Sequence, residues 1–247
     1  MISKSTVKYI QSLHQKKYRD EHNAFIAEGP KVATEFLETN IFECDAIYCT
    51  KNGYTILNSS ITNKYAAKIN IIEEYELEKI TALKVANNLL VVLQKKIDSN
   101  NINIANKLTL VLDDIQDPGN LGTIIRNADW FGVETIFCSP ATADCYNPKV
   151  VQSTMASLGR VNIVYGDIAN LLLQNKNIAS YAAVLDGNDI KHSQKISEGF
   201  IIIGNESKGI STSVLNMVTH KISIAKIGTA ESLNAAVASG IILYQLT

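Results

Sequence analysis

From Leu108 onward, short segments that are apolar throughout alternate with segments of helical period, and this alternation does most to constrain the fold of the 247-residue chain. TLVLDDI, VETIFCS, VNIVY, YAAVL, FIIIG and ISIA read as strands. Between them, residues 121–131, 148–158 and 167–175, a short stretch after 204, and a last one over 233–245 read as helices. A strand with no polar side is covered on both faces, and strands separated by helices run parallel. The expectation is an α/β domain on a parallel sheet.

Residues 1–96 are less regular. Ile10, Leu13, Lys17 and Tyr18 begin a helical stripe, PKVATEFLE reads as a helix opened by Pro30, and AIYCT and LLVVLQ read as buried strands. The polar, Asn-rich KKIDSNNINIANK places a boundary near 97–106, giving domains over 1–100 and 107–247. Hydrophobic residues make up 46% of the chain, enough for a sizeable core. The net charge of −1 does not mark a nucleic-acid binder. Residues 1–31 do carry Lys4, Lys8, Lys16, Lys17, Arg19 and Lys31 against Asp20, Glu21 and Glu28. That excess fits phosphate contact, and equally an ordinary solvated helix face. Apolar runs are of strand length and none follows the N-terminal charges, so no membrane partner is expected and the protein should be cytoplasmic. Cys44, Cys49, Cys138 and Cys145 form no C-x-x-C pair and have no histidine at zinc spacing, so buried reduced thiols and no metal are expected.

Three segments of the C-terminal half are candidates for chemistry. In LDDIQDPGNLGTIIRNADWFG, residues 112–132, Asp117-Pro118-Gly119 makes a turn and Asn120 is placed to cap the next helix. Leu121, Ile124, Ile125, Ala128 and Phe131 share one helix face, Arg126 lies nearly opposite, and Gly132 ends the helix. Spacing alone also fits a crossover helix with a solvated arginine. In FIIIGNESKGIS, residues 200–211, the strand runs straight into Gly204-Asn205-Glu206, where ligands of open parallel sheets bind. Gly204 would permit close backbone approach to a ligand, although a bare turn has the same pattern. In SIAKIGTAESLNAAVASGIILYQL, residues 223–246, Glu231-Ser232-Leu233-Asn234 opens a helix. Leu233, Ala236, Val237, Gly240, Ile241 and Tyr244 would make its packed face, with Ala235, Ala238 and Ser239 leaving the neighbouring surface small. The dinucleotide fingerprint, the phosphate loop and the G-x-S-x-G elbow are missing, which disfavours an oxidoreductase, a nucleotide-triphosphate enzyme and a serine hydrolase.

Taken together, the three segments resemble the three motifs of the SpoU/TrmH family of the SPOUT superfamily, in order and in spacing. ADCYNPKVVQSTMASLGRVNI, residues 143–163, resembles the family's connecting region. KKYRDEHNAFIAEGPKVATEFLE resembles the start of a ribosomal-protein-like RNA-binding domain often fused to these enzymes. The resemblance implies a small α/β RNA-binding domain followed by a parallel-sheet α/β domain with a C-terminal trefoil knot. It implies an obligate homodimer, an RNA partner (tRNA or rRNA), and methyl transfer from S-adenosylmethionine to a ribose 2′-hydroxyl. By the same resemblance Leu185, Gly204, Ile224 and Leu233 would hold the cofactor, and Arg126, Asn120, Glu206, Ser232 and Asn234 match active-site positions. The sequence departs from the family pattern at Ser207 for a glycine, at Ala225-Lys226 for a proline-containing pair, and at Gln152 for a basic residue. Base methylation on the same fold, and RNA binding without catalysis, remain the alternatives.

Overall fold

The computed structural model describes residues 1–96, 102 and 104–247. Residues 97–101 and 103, most of the expected boundary at 97–106, lie outside the described residues. The chain divides into two compact units, Met1–Ile97 with Tyr146–Gly159, and Asp98–Cys145 with Arg160–Thr247. In chain order the first stretch contains α1 (Lys4–Ser12), α2 (Lys16–His22), β1 (Ala24–Glu28), α3 (Pro30–Thr39), β2 (Cys44–Cys49), α4 (Lys51–Ile56), α5 (Ser59–Lys64), β3 (Ile69–Ile71), α6 (Glu74–Ile80) and β4 (Leu89–Gln94). Then follow β5 (Leu108–Asp113), α7 (Pro118–Trp130), β6 (Thr135–Cys138), α8 (Pro148–Thr154), β7 (Asn162–Tyr165) and α9 (Ile168–Gln174). The chain continues through β8 (Ser180–Asp189), β9 (Gly199–Gly204), α10 (Thr212–Leu215), β10 (His220–Ser223) and α11 (Ala235–Leu246).

The N-terminal unit is built on a mixed sheet ordered β1-β4-β2-β3, in which β4 is antiparallel to β1 and β2, and β3 is parallel to β2. β1 was not evident in the sequence, because AFIAE, although buried at every position, follows directly on the charged helix α2. The expected stripe from Ile10 to Tyr18 divides between two helices, α1 ending at Ser12 and α2 starting at Lys16. Arg19 is removed from the basic surface: it is buried, and its guanidinium donates to the Leu13 carbonyl at 2.8 Å. Pro30 stands in the first turn of α3, as expected, after Gly29 at φ +80°. The segment carrying α8 packs on β1, and Tyr146 joins Phe25 and Phe42 in an aromatic group with centroid separations of 4.8 Å and 6.3 Å.

The C-terminal unit has a six-stranded sheet ordered β10-β8-β9-β5-β6-β7, parallel at every pairing. β5 and β9 lie at its centre, and Leu110, Val111, Leu112 and Phe200 to Ile203 are buried, as continuous apolar runs require. On α7, Leu121, Ile124, Ile125 and Ala128 are buried and Gly132, at φ +72°, ends the helix. The cap of α7 is not Asn120. Asp117 takes that place, accepting from the Asn120 backbone N–H at 2.9 Å and leaving the Asn120 side chain available.

The largest difference from expectation is in α11. Leu233, Val237, Ile241 and Tyr244, expected on its packed face, are exposed, whereas Ala235, Ala236, Ser239, Ile242, Leu243 and Leu246 are buried. The helix is apolar on nearly every side, so periodicity does not choose its buried face; small side chains do. They let α11 approach α7, where Asn127 Nδ2 donates to the Ala236 carbonyl at 2.9 Å and Ser239 Oγ at 3.1 Å. All four cysteines are buried and free. No described helix is long and apolar enough to cross a membrane.

Candidate active site

β8, the carboxyl ends of β9 and β10, the loops that follow them and the start of α11 surround a cavity of about 610 Å³. Its apolar wall includes Ile203, Ile210, Leu215, Ile222 and Ile242, and its rim is the loop from Ile224 to Leu233. The size falls in the range of small-molecule pockets, about 300–1,000 Å³. Residues 225–234 are exposed, and among the described residues no backbone–backbone hydrogen bond ties residues 225–233. Their N–H and C=O groups are therefore available to a bound molecule. β8 extends past its expected end to Asp189, because Gly187 leaves room for the Ile222 backbone; a Cβ there would lie within 2.5 Å of it.

The loop after β9 is shaped by backbone contacts. Asn205 and Gly209 exchange hydrogen bonds at 3.1 Å and 2.9 Å, and Gly209 has φ +70°. A Cβ on Gly204 would lie 2.4 Å from the Gly209 and Ile210 backbone, so the glycine is needed for the chain's own approach to itself. Asp113, at the end of β5, accepts from the Ser211 N–H at 2.8 Å. Glu206 is thereby presented at the cavity wall.

Three expected site residues form one hydrogen-bonded chain. Asn234 caps α11, its Oδ1 accepting from the N–H groups of Ala236 at 3.0 Å and Val237 at 3.3 Å. Its Nδ2 must then donate, and does so to Asn120 Oδ1 at 2.9 Å. Asn120 Nδ2 in turn donates to the Glu206 carboxylate. The helix end thus fixes the orientation of both amides, and only an acceptor such as a carboxylate can complete the series. Leu185, Gly204, Ile224, Leu233, Glu206 and Ser232 all line the cavity. Arg126 does not; it is exposed on α7, away from that lining.

Residues 107–244 match the SpoU rRNA Methylase family, and residues 4–90 match the MRM3-like substrate binding domain. The chain belongs to the SpoU rRNA methylase family. It is 28% identical over 243 residues to 23S rRNA (guanosine(2553)-2′-O)-methyltransferase RlmP of Bacillus subtilis, an alignment covering 97% of this chain and 95% of that protein. Two solved structures are similar over nearly the whole length. One is a TrmH-family RNA methyltransferase of Porphyromonas gingivalis, with a TM-score of 0.85, 30% identity and 99% and 98% of the two chains covered. The other is an AdoMet-bound rRNA methyltransferase of Sinorhizobium meliloti, with a TM-score of 0.87, 26% identity and 99% and 95% covered.

In this SpoU methylase, several residues that matter to the site carried no chemical signal in the sequence. Asp113 and Asp114 read as the end of a strand, and Asn127 was not singled out. What they share is a short polar side chain directly after an apolar run or opposite a small-residue helix, where a backbone partner is within reach. Further along the sheet, burial pushes the Cys138 thiol and the Tyr165 hydroxyl well above their ordinary values. Tyr165 accepts from the Cys145 N–H at 2.8 Å and donates to the Ala143 carbonyl at 2.6 Å, so it serves the fold of that loop.

Proposed function

We propose that the protein is an S-adenosylmethionine-dependent RNA methyltransferase that acts on a ribose 2′-hydroxyl of ribosomal or transfer RNA, in the cytoplasm and as a homodimer. The observation that carries this reading is the Asn234–Asn120–Glu206 chain, which ends on Glu206 in the cavity wall. The names of the relatives agree with it: RlmP is an rRNA 2′-O-methyltransferase, and one similar structure holds AdoMet.

The residues present fit that cofactor. Leu185, Gly204, Ile224 and Leu233 would hold it between an apolar wall and a rim of free backbone groups. When bound, it supplies a methyl group on a cationic sulfur, an electrophile that needs no further activation. The protein's share is alignment and help with the proton of a poor nucleophile. Asn120 and Asn234 hold Glu206 in one orientation, and Ser232 stands on the exposed rim where a ribose would enter. The guanidinium of Arg126 offers a planar fork of donors and no acceptor, so its role is to orient an RNA phosphate or stabilise the developing oxyanion.

The homodimer is supported by what one chain leaves uncovered. Trp130 on α7 is 82% exposed, and on α11 Val237 is 51% and Tyr244 73% exposed. α7 and α11 pack together, and Arg126 lies one turn before Trp130. A two-fold contact covering these side chains would place Arg126 of each protomer at the seam. The reading includes the family's C-terminal knot, with which the insertion of β9 between β5 and β8 is compatible. It assigns RNA contact to residues 4–90, after the domain they match.

Methyl transfer from labelled S-adenosylmethionine to cellular RNA lacking this modification, followed by nucleoside analysis, tests the reading. A labelled 2′-O-methyl nucleoside is the expected product. A labelled base would replace ribose with base methylation, and failure to bind the cofactor would favour RNA binding without catalysis.

A further inference from the structure

We propose that Asn205 is a positioning residue that aims the Glu206 carboxylate by pinning the loop after β9 to the turn after β5. The inference rests on the reading above only in taking Glu206 as part of the working site.

The side chain of Asn205 is engaged on both sides. Its Oδ1 accepts from the N–H groups of Ser207 at 2.9 Å and Lys208 at 3.0 Å, which closes the tip of the loop around it. Two backbone donors require the oxygen on that side, so Nδ2 faces the other way, where it donates to the Asp114 carbonyl at 2.8 Å. Asp114 is itself held. It sits at φ +61°, in the left-handed region that Asp tolerates at some cost, and its N–H donates to Ser139 Oγ at 2.9 Å. Its carboxylate meets Lys208 Nζ at 3.3 Å, and the preceding residue, Asp113, holds Ser211.

The consequence is a relay across three adjacent strand ends. Ser139 after β6 fixes Asp114 after β5; Asp114 fixes Asn205 after β9; and Glu206 follows Asn205 directly. Both ends of the 205–211 loop are tied to the Asp113–Asp114 pair, with Glu206 between the ties. A glutamate side chain has several rotatable bonds, and its hydrogen bond to Asn120 selects one orientation only if the backbone beneath it is fixed. Asn205 supplies that fixity.

The test uses the full chain and four variants: Asn205→Ala, Asn205→Asp, Glu206→Gln, and Asn205→Ala combined with Glu206→Gln. Asn205→Asp keeps the acceptor for Ser207 and Lys208 but loses the donor to Asp114, which isolates the link to β5. Displacement of a reacting group by about 1 Å can cost about 100-fold in rate, so Asn205→Ala should lower kcat by about 10- to 100-fold. In the Glu206→Gln background the same change should cost less than about twofold, because residues acting through one another do not add. A purely structural Asn205 would give additive losses, and additivity overturns the proposal. A second readout does not depend on turnover. The Asn120 side-chain amide resonances, assigned with Asn120→Asp, should move on Asn205→Ala in the direction they move on Glu206→Gln, and no further in the double variant. Resonances that stay in place in Asn205→Ala and Asn205→Asp overturn the proposal, whatever the activity. A wild-type chain that transfers no methyl group to any RNA counts against the proposed function instead, and the amide measurement still decides this inference.

Discussion

In the N-terminal unit the buried charged side chains serve the backbone. Arg19 holds the Leu13 carbonyl, Glu28 accepts from the Ala82 N–H at 2.8 Å and from the Thr81 hydroxyl, and Glu76 accepts from the N–H groups of Ile2 at 2.9 Å and Glu73 at 3.1 Å. In the C-terminal unit Asp113 does the same for Ser211, but Asn234, Asn120 and Glu206 are bonded side chain to side chain, and the series ends on Glu206 in the cavity wall. A side chain bonded to backbone fixes where a segment goes. A series of side chains bonded to one another fixes little of the fold and can be spent on chemistry. Substitutions in the first unit should therefore register in stability, and those in the second unit's series in turnover.

The strongest way to sharpen that contrast is Phe25→Ala, which removes a fully buried ring in contact with Phe36, Phe42 and Tyr146. Denaturant unfolding should show a loss of about 3–5 kcal/mol. Next is the pair Asn234→Asp and Asn234→Ala. Asp keeps the acceptor that caps α11 but loses the donor to Asn120, so kcat should fall about tenfold while stability stays within about 0.5 kcal/mol. Ala should lose the activity and about 1 kcal/mol of stability as well. Equal stability of the two variants would break the distinction between cap and site. Arg126→Lys offers a third measurement: near-full turnover at saturating RNA would remove any role that needs the planar fork.

A subtler test concerns pH. Burial raises the Glu28 carboxyl above its ordinary 4.5, outweighing the bonds from Thr81 and Ala82 and the nearby His14, which lower it. For an acid whose folded value is raised, the stabilising contribution is complete below the unfolded value and is lost as pH climbs through the folded one. Wild-type Tm should carry that decline from about pH 4.5 upward, and Glu28→Gln, which can keep partners for both Thr81 and Ala82, should flatten it. The smallest effect expected is at the thiols. Burial pushes Cys44 and Cys49 up to about 11, so both should stay inert to a thiol reagent at pH 8 until denaturant is added.

Much of the C-terminal unit was legible because its strands are apolar without interruption and α7 begins at Asp117-Pro118. All six strands of its sheet had been read from such runs. β1 escaped for a related reason: AFIAE is as buried as those runs, but it follows directly on a charged helix with no turn residues except Asn23. The buried face of α11 could not be read at all, since an apolar helix offers no contrast and the choice was made by side-chain size against α7. Within the cavity, the residues lining it follow from the motifs. The hydrogen bonds behind them do not, because Asn120 could cap its own helix or reach across to Glu206, and only the competing Asp117 decides.

The grouping of Tyr146–Gly159 with the N-terminal unit has a practical consequence for how the protein can be divided. This segment enters the sequence between β6 and β7, yet Tyr146 accepts from the Lys96 N–H at 3.2 Å, and the Gly159 carbonyl accepts from Lys96 Nζ at 3.0 Å. A fragment ending at residue 96 would present Phe25 and Phe42 to water where Tyr146 and α8 belong. A fragment starting at 107 would carry an orphaned apolar helix. A cut at the Asn-rich stretch would therefore leave the N-terminal unit without residues 146–159.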